Sequence, residues 1–193
     1  IEVPEYGKRA YSLIDFAPPS PRPTAYQLAV QREDTGAGGS LAMHQMTPGQ
    51  SLSVSQPRNE FQLHRGLSPT LLLAGGIGLT PLISFASELS RRGHPFAFHY
   101  ATRSIEHCVF RDRLESAFGD KIHFWHDDLK QIDLHGVIRD CAAGTQIYCC
   151  GPTSMMNAVR QISQIEGHNE SNVHFEQFNA PEQQAGDRDF EIE

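Results

Sequence analysis

From Thr70 onward the chain alternates two kinds of segment, and no other feature restricts its fold so much. "TLLLAG" is an unbroken apolar run, the pattern of a strand buried on both faces. "TPLISFASELSRRG" repeats apolar residues at helical spacing and stops at Arg91-Arg92-Gly93. The exchange recurs with strands over "PFAFHYATR", "KIHFWHDD" and "TQIYCCGP". Each is followed by a helix, over "VFRDRLESAFG", "DLHGVIRDCA" and "SMMNAVRQISQIEG", and a last strand covers "NVHFEQF". Such alternation predicts right-handed crossovers and an α/β doubly wound parallel sheet with helices on both faces. Ligands of these sheets bind beyond the carboxyl ends of the strands. Two turns lie there, "AGGIGLTP" after the first strand and "CCGP" after the fourth.

Residues 1 to 66 carry a different pattern. "RAYSLI" and "AYQLAVQRE" alternate apolar and polar residues and read as strands, as does "SLSVS". The four prolines of "DFAPPSPRPT" make it a loop, because proline cannot join a sheet interior. "DTGAGGS" is a glycine-rich turn, and "LAMHQM" is a short helix starting at Ser40. Short strands between Pro and Gly turns predict a small β barrel or sandwich. The expected organisation is a partial β barrel over 1–66 and an α/β unit over 67–179. A polar linker and a strand beginning, "RDFEIE", follow over 180–193.

Net charge narrows the partners. With 23 acidic against 16 basic residues and a formal charge of -7, no basic stripe for nucleic acid is visible. The apolar runs are too short to span a bilayer, and no charged-then-apolar leader opens the chain. Four cysteines, Cys108, Cys141, Cys149 and Cys150, include an adjacent pair that suits neither a disulfide framework nor a four-ligand metal site. Reduced thiols in a cytoplasmic protein are the expectation.

In "AGGIGLTP", Gly75, Gly76 and Gly78 remove side chains where backbone could approach a phosphate, and the helix start near Thr80 and Pro81 points at that anion. A tight strand-to-helix turn without ligand explains the same residues. Gly151 and Pro152 turn the chain sharply and leave Cys150 at the crevice, although an ordinary buried cysteine fits as well. In "RAYS", Arg9 can hold a phosphate, Tyr11 can stack on a flat ring and Ser12 can hydrogen-bond a ring edge. An amphipathic edge strand is the alternative. "GAGGS", Gly36 to Ser40, is a second possible phosphate cradle.

"RAYS", "GAGGS", "PRNEF", "AGGIGLTP", "YATR", "YCCGP" and "VHFEQF" occur in that order. The ordered set resembles the ferredoxin–NADP reductase superfamily. More narrowly it is similar to the Rieske oxygenase reductases of the phthalate dioxygenase and vanillate O-demethylase kind. The resemblance covers about residues 3 to 180. It implies a flavin phosphate held by Arg9 with Gly38, Gly39 and Ser40, Tyr11 packed on the isoalloxazine, and Ser12 near its N5. It implies a nicotinamide-dinucleotide site at Gly75, Gly76, Gly78, Thr80 and Pro81, with Cys150, Gly151 and Pro152 near the nicotinamide ring. Phe178 matches the aromatic that covers the flavin, and Glu176 stands where relatives carry an acidic residue. Thr102, Arg103 and Ser104 follow the second strand, where the two dinucleotides are told apart. FMN is expected rather than FAD, with Phe16 the one candidate adenine-stacking aromatic, and NADH rather than NADPH.

The resemblance further implies hydride transfer from nicotinamide C4 to flavin N5, then single electrons to a 2Fe-2S centre and a Rieske-type oxygenase. The family's cluster spacing, C-x4-C-x2-C with a distant fourth, is absent from this chain. A separate 2Fe-2S ferredoxin domain after "RDFEIE", and further barrel strands before "RAYS", are therefore expected. The rival readings are a stand-alone flavin or cytochrome reductase module and a non-catalytic electron-relay binding subunit. Steady-state NADH oxidation with a dye acceptor separates an enzyme from the latter.

Overall fold

The computed structural model describes residues 1–16 and 23–178. The expected linker and strand beginning over 180–193 lie outside the described residues, as does most of the proline-rich loop.

Five parallel strands form the sheet, in the order Ile122–His126, Phe96–Thr102, Thr70–Gly75, Gln146–Cys150, Val173–Glu176. β3 (Thr70–Gly75) is central and buried at all six positions, as its apolar run requires. β4 (Phe96–Thr102) and β5 (Ile122–His126) lie on one side of it, and β6 (Gln146–Cys150) and β7 (Val173–Glu176) on the other. The register pairs Leu72 with Phe98 and Tyr148, so alternate residues of neighbouring strands share a face. One face holds Leu72, Ala74, Phe98, Tyr100, Tyr148 and Cys150 against α2 (Leu79–Arg91) and α3 (Arg111–Phe118). The other holds Leu71, Leu73, Ile147 and Cys149 against α4 (Leu134–Arg139) and α5 (Thr153–Ile165). Leu82, Ile83 and Leu89 of α2 have no exposed surface, each worth roughly 1.5–3 kcal/mol of burial.

The helix stops are built as the sequence predicts. α2 closes with His94 N–H donating to Leu89 C=O at 2.9 Å and Gly93 N–H to Ser90 C=O at 3.1 Å, with Gly93 at φ 65°. That left-handed closure is why glycine stands there. α5 ends the same way, His168 N–H donating to Ser163 C=O at 2.9 Å beyond Gly167. Asp133 starts α4 by accepting Gly136 N–H at 2.9 Å.

The first 66 residues depart from the expected strands. Among the described residues their only ladder joins β1 (Glu2–Val3) to β2 (Gly7–Lys8), antiparallel. "RAYSLI" and "AYQLAVQRE" meet at a single bridge, Ile14 to Gln27, and "SLSVS" touches β1 at one bridge, Glu2 to Ser53. These fragments fit a partial barrel, with ladders too short for regular strands. α1 (Gly39–Gln45) begins one residue before the expected Ser40. The two parts share one core: Ile14, 5% exposed, sits among the α2 and α3 residues, and Phe16, Phe61 and Leu63 pack around it. Three hydrogen bonds tie that segment to α2. Ser84 Oγ accepts Asp15 N–H at 3.1 Å and donates to Leu13 C=O at 3.0 Å, and Ser87 Oγ donates to Asp15 C=O at 2.8 Å.

Candidate functional site

The turns after β3 and β6 are locked together. A Cβ on Gly78 would strike the Cys150 carbonyl and come within 2.8 Å of the Gly151 nitrogen. One on Gly75 would meet Pro152 Cδ at 2.6 Å and Met155 Sδ at 2.9 Å, and one on Gly151 would meet the Gly75 backbone at 3.0 Å. The space beside Gly75 and Gly78 is thus filled by the partner turn. Gly76 differs, at φ 55° with nothing within 4 Å of an added Cβ. It is the glycine of this turn whose side-chain position is open. Residues 76–78 make a 3-10 turn and α2 starts at Leu79. Thr80 is buried, its hydroxyl donating to Ile77 C=O at 3.1 Å. Pro81, in the first turn of α2, has no N–H, so of that pair only Thr80 brings an amide to the helix start.

Cys150 ends β6 with its side chain covered, 1% exposed, rather than open at the crevice. Burial raises its thiol, with Glu176 and Cys149 adding to the shift, so it remains a neutral thiol at physiological pH. Cys149, on the opposite face, is pushed up to about 12 by burial. All four cysteines are free.

Glu176 lies in register with Cys150 on the neighbouring strand. Its Oε2 is buried without a hydrogen-bond partner, and burial, aided by Glu60, raises its carboxyl. Among the described residues Tyr100 Oη and Ser163 Oγ are the other buried side-chain atoms without a hydrogen-bond partner, and of the three Glu176 Oε2 is the one at a strand's carboxyl end beside Cys150. Phe178, two residues on, is 45% exposed. Glu60 of "PRNEF" is a member of this neighbourhood that residue types alone did not mark.

The "RAYS" and "GAGGS" segments meet. Gly39 lies against Arg9, whose Nε would be 3.3 Å from an added Cβ. Gly38, at φ 85°, packs under the Tyr6 ring, which a Cβ would strike. No spacing rule pointed to Tyr6. Ser40 Oγ accepts Glu33 N–H at 3.0 Å and so closes its own loop. Burial raises the Tyr11 phenol, against the opposing pull of Arg9. Ser12 is half-buried beside it. Phe16 is committed elsewhere, stacked with Phe118 at 6.2 Å, edge-on to Phe110 at 6.0 Å, and 4.1 Å beneath the Arg113 guanidinium.

A third group follows β4. Thr102 is buried and Arg103 exposed, and Ser104 leads into a turn carrying Glu106 and His107. His126 reaches Thr102 from β5.

These features set the comparisons in place. No protein-family model matches the chain. Phthalate dioxygenase reductase of Burkholderia cepacia is 37% identical over 187 residues, 93% of this chain and 56% of that protein. The heme-dependent oxidative N-demethylase beta subunit of Ectopseudomonas mendocina is 33% identical over 184 residues, 94% of this chain and 58% of that protein. The chain thus spans little more than half the length of these curated relatives. The structure of phthalate dioxygenase reductase, described as a modular structure for electron transfer from pyridine nucleotides to 2Fe-2S, superposes with a TM-score of 0.84. That match has 34% identity and covers 95% of this chain and 58% of that one. Likeness in sequence and in fold over the same residues makes this chain a homologue of the oxygenase reductases typified by phthalate dioxygenase reductase, with a ferredoxin reductase-like fold.

Proposed function

We propose that this chain is the flavin- and nicotinamide-binding part of an oxygenase reductase. When bound, FMN would take a hydride from NADH and release electrons one at a time to a 2Fe-2S centre, and from there to a Rieske-type oxygenase. The observation that carries the reading is Glu176: a buried, partnerless carboxyl oxygen in register with Cys150, on the sheet edge where the locked glycine turns end.

The chain's own residues have these parts. Arg9 supplies a guanidinium to the flavin phosphate beside Gly38, Gly39 and Ser40. Tyr11 and Phe178 border the ring, and Ser12 offers a hydrogen bond at its edge. Gly76, with its open side-chain position, and the Thr80 amide face the dinucleotide phosphates. Gly75, Gly78, Gly151 and Pro152 keep the two turns in contact, and Pro81 sets the first turn of α2. Cys150 contributes bulk and a neutral thiol, and Glu176 contributes a carboxyl that burial keeps protonated more readily than usual. FMN is favoured over FAD because Phe16 is already enclosed by Phe110, Phe118 and Arg113. We propose that the 1–66 and 67–179 parts act as flavin and nucleotide lobes, with the polar segment over 180–193 leading to a ferredoxin domain. A second reading, a heme enzyme as final acceptor, is supported by the likeness to the N-demethylase subunit.

The test is flavin retention and reduction. The purified protein should carry flavin absorbance, release FMN on denaturation, and bleach on anaerobic mixing with NADH. Flavin that is held but not reduced by either nicotinamide nucleotide would leave a relay subunit instead.

A further inference from the structure

A cavity of about 430 Å³ opens between α2 and the first part of the chain. It lies toward the far end of α2 from the glycine turns, since Arg91 stands twelve residues beyond Leu79, about 18 Å at the helical rise. α2 supplies Phe85, Glu88, Arg91 and Arg92 to its wall, and the first part supplies Asp15, Leu63 and Arg65. A cavity of this size takes a small organic molecule.

Three guanidiniums meet there. Glu88 engages two of them: its Oε2 accepts Arg91 Nε at 2.8 Å, and its Oε1 accepts Arg92 Nε at 2.6 Å. The hydrogen bond from Arg91, followed by that from Arg92, holds the Glu88 carboxyl below its usual range, so it is ionised at neutral pH. Arg92 Nη1 also reaches the His64 carbonyl, at 3.4 Å. Arg65 makes no side-chain hydrogen bond or ion pair among the described residues. Each guanidinium has five N–H donors, so most of the donors of the three remain unspent.

Charge sets the class of ligand. Arg65, Arg91 and Arg92 against the carboxylates of Asp15 and Glu88 leave one net positive charge on the wall. A single negative charge balances it, and the roughly two charges of a phosphate monoester overshoot. The planar fork of a guanidinium also matches a planar carboxylate. Leu63, half-buried, and Phe85, 8% exposed, add an apolar side to the wall. We propose that this cavity binds a small organic monocarboxylate, its head met by Arg65 and Arg92 and its hydrocarbon body by Leu63 and Phe85, and that the ligand clamps the first part of the chain onto α2. The clamp follows from where the wall comes from. Asp15, whose amide and carbonyl are tied to Ser84 and Ser87, lines the same cavity. A ligand that binds only the joined form opposes opening of that joint by mass action.

The test titrates cyclohexanecarboxylate into the full chain by calorimetry at low salt, with cyclohexanecarboxamide and inorganic phosphate as comparisons. The carboxylate should bind with a Kd below about 1 mM, and the amide and phosphate at least about tenfold more weakly. Arg65→Gln should weaken the carboxylate about tenfold. Arg65 is exposed, so the variant should fold, which an unchanged melting temperature would verify. With ligand at about ten times Kd, hydrogen exchange of the Asp15 amide should slow about tenfold. No binding up to about 20 mM, equal binding of the amide or of phosphate, or unaltered affinity in R65Q would overturn the site. Binding that leaves Asp15 exchange unchanged would overturn the clamp. None of these readouts uses flavin or nucleotide, so their failure leaves the reductase reading standing.

Discussion

Gly78 and Gly76 sit two residues apart in one turn and do different work. At Gly78 the missing side chain makes room for backbone, the Cys150 carbonyl, which cannot swing aside. At Gly76 the missing side chain permits φ 55° with open space around it. Gly78→Ala should therefore cost about 2–3 kcal/mol, as overpacking of a tight core does. Gly76→Ala should cost nearer 1 kcal/mol, the price of a left-handed alanine. Urea unfolding of the two variants orders them; a milder Gly78→Ala would mean that the β6 turn can retreat. Spacing in "GGIGLTP" makes three glycines visible and cannot rank them. The group that fills the Gly78 position belongs to a strand more than seventy residues away. The engaged state of Thr102 was hidden for the same reason, since His126 comes from another strand.

At the scale of elements, what was legible followed the range of the interactions. The five sheet strands and the five α-helices among the described residues were readable because burial on both faces, helical periodicity and glycine stops are written locally. The β-rich part was readable as a partial barrel but not in its pairings. Its bridges join Glu2 to Ser53 and Ile14 to Gln27, pairings that alternation alone cannot assign. What fixes that part is its contact with α2, and Ser84 is the test. Ser84→Ala removes the acceptor of the Asp15 amide and the donor to Leu13 C=O. A loss of about 1–3 kcal/mol is expected, with faster hydrogen exchange at Asp15 and little change within β3. Uniform loss of protection across both parts would show that Ser84 supports the whole core and not this joint.

For the molecule as a whole, acid should expose one buried histidine. His99 on β4 is 9% exposed and accepts the Trp125 indole N–H at Nδ1, 3.1 Å away. Burial, with the His123 ring nearby, pushes it down from 6.5 to about 4. The folded protein thus holds His99 neutral where the unfolded chain already binds a proton. Its contribution to stability is complete above the unfolded value and is lost as pH falls toward the folded one, up to about 3 kcal/mol in all. Glu176, raised by burial, acts in the opposite sense, so the comparison must be between variants. His99→Gln should flatten the fall in stability between about pH 6.5 and 4.5. Trp125, the single tryptophan, reports it by fluorescence. An unchanged slope would mean that His99 is protonated in the folded state.

The core shared across the junction also bears on how such a unit could be recombined. Ile14, Phe16, Phe61 and Leu63 complete the core cluster formed by α2, α3 and one face of the sheet. An α/β unit excised after residue 66 would carry that side bare, an apolar face of the kind that drives association. In any gene fusion that includes this chain, the joints free to move are those outside the pair. The first sixty-odd residues and the sheet are inherited together.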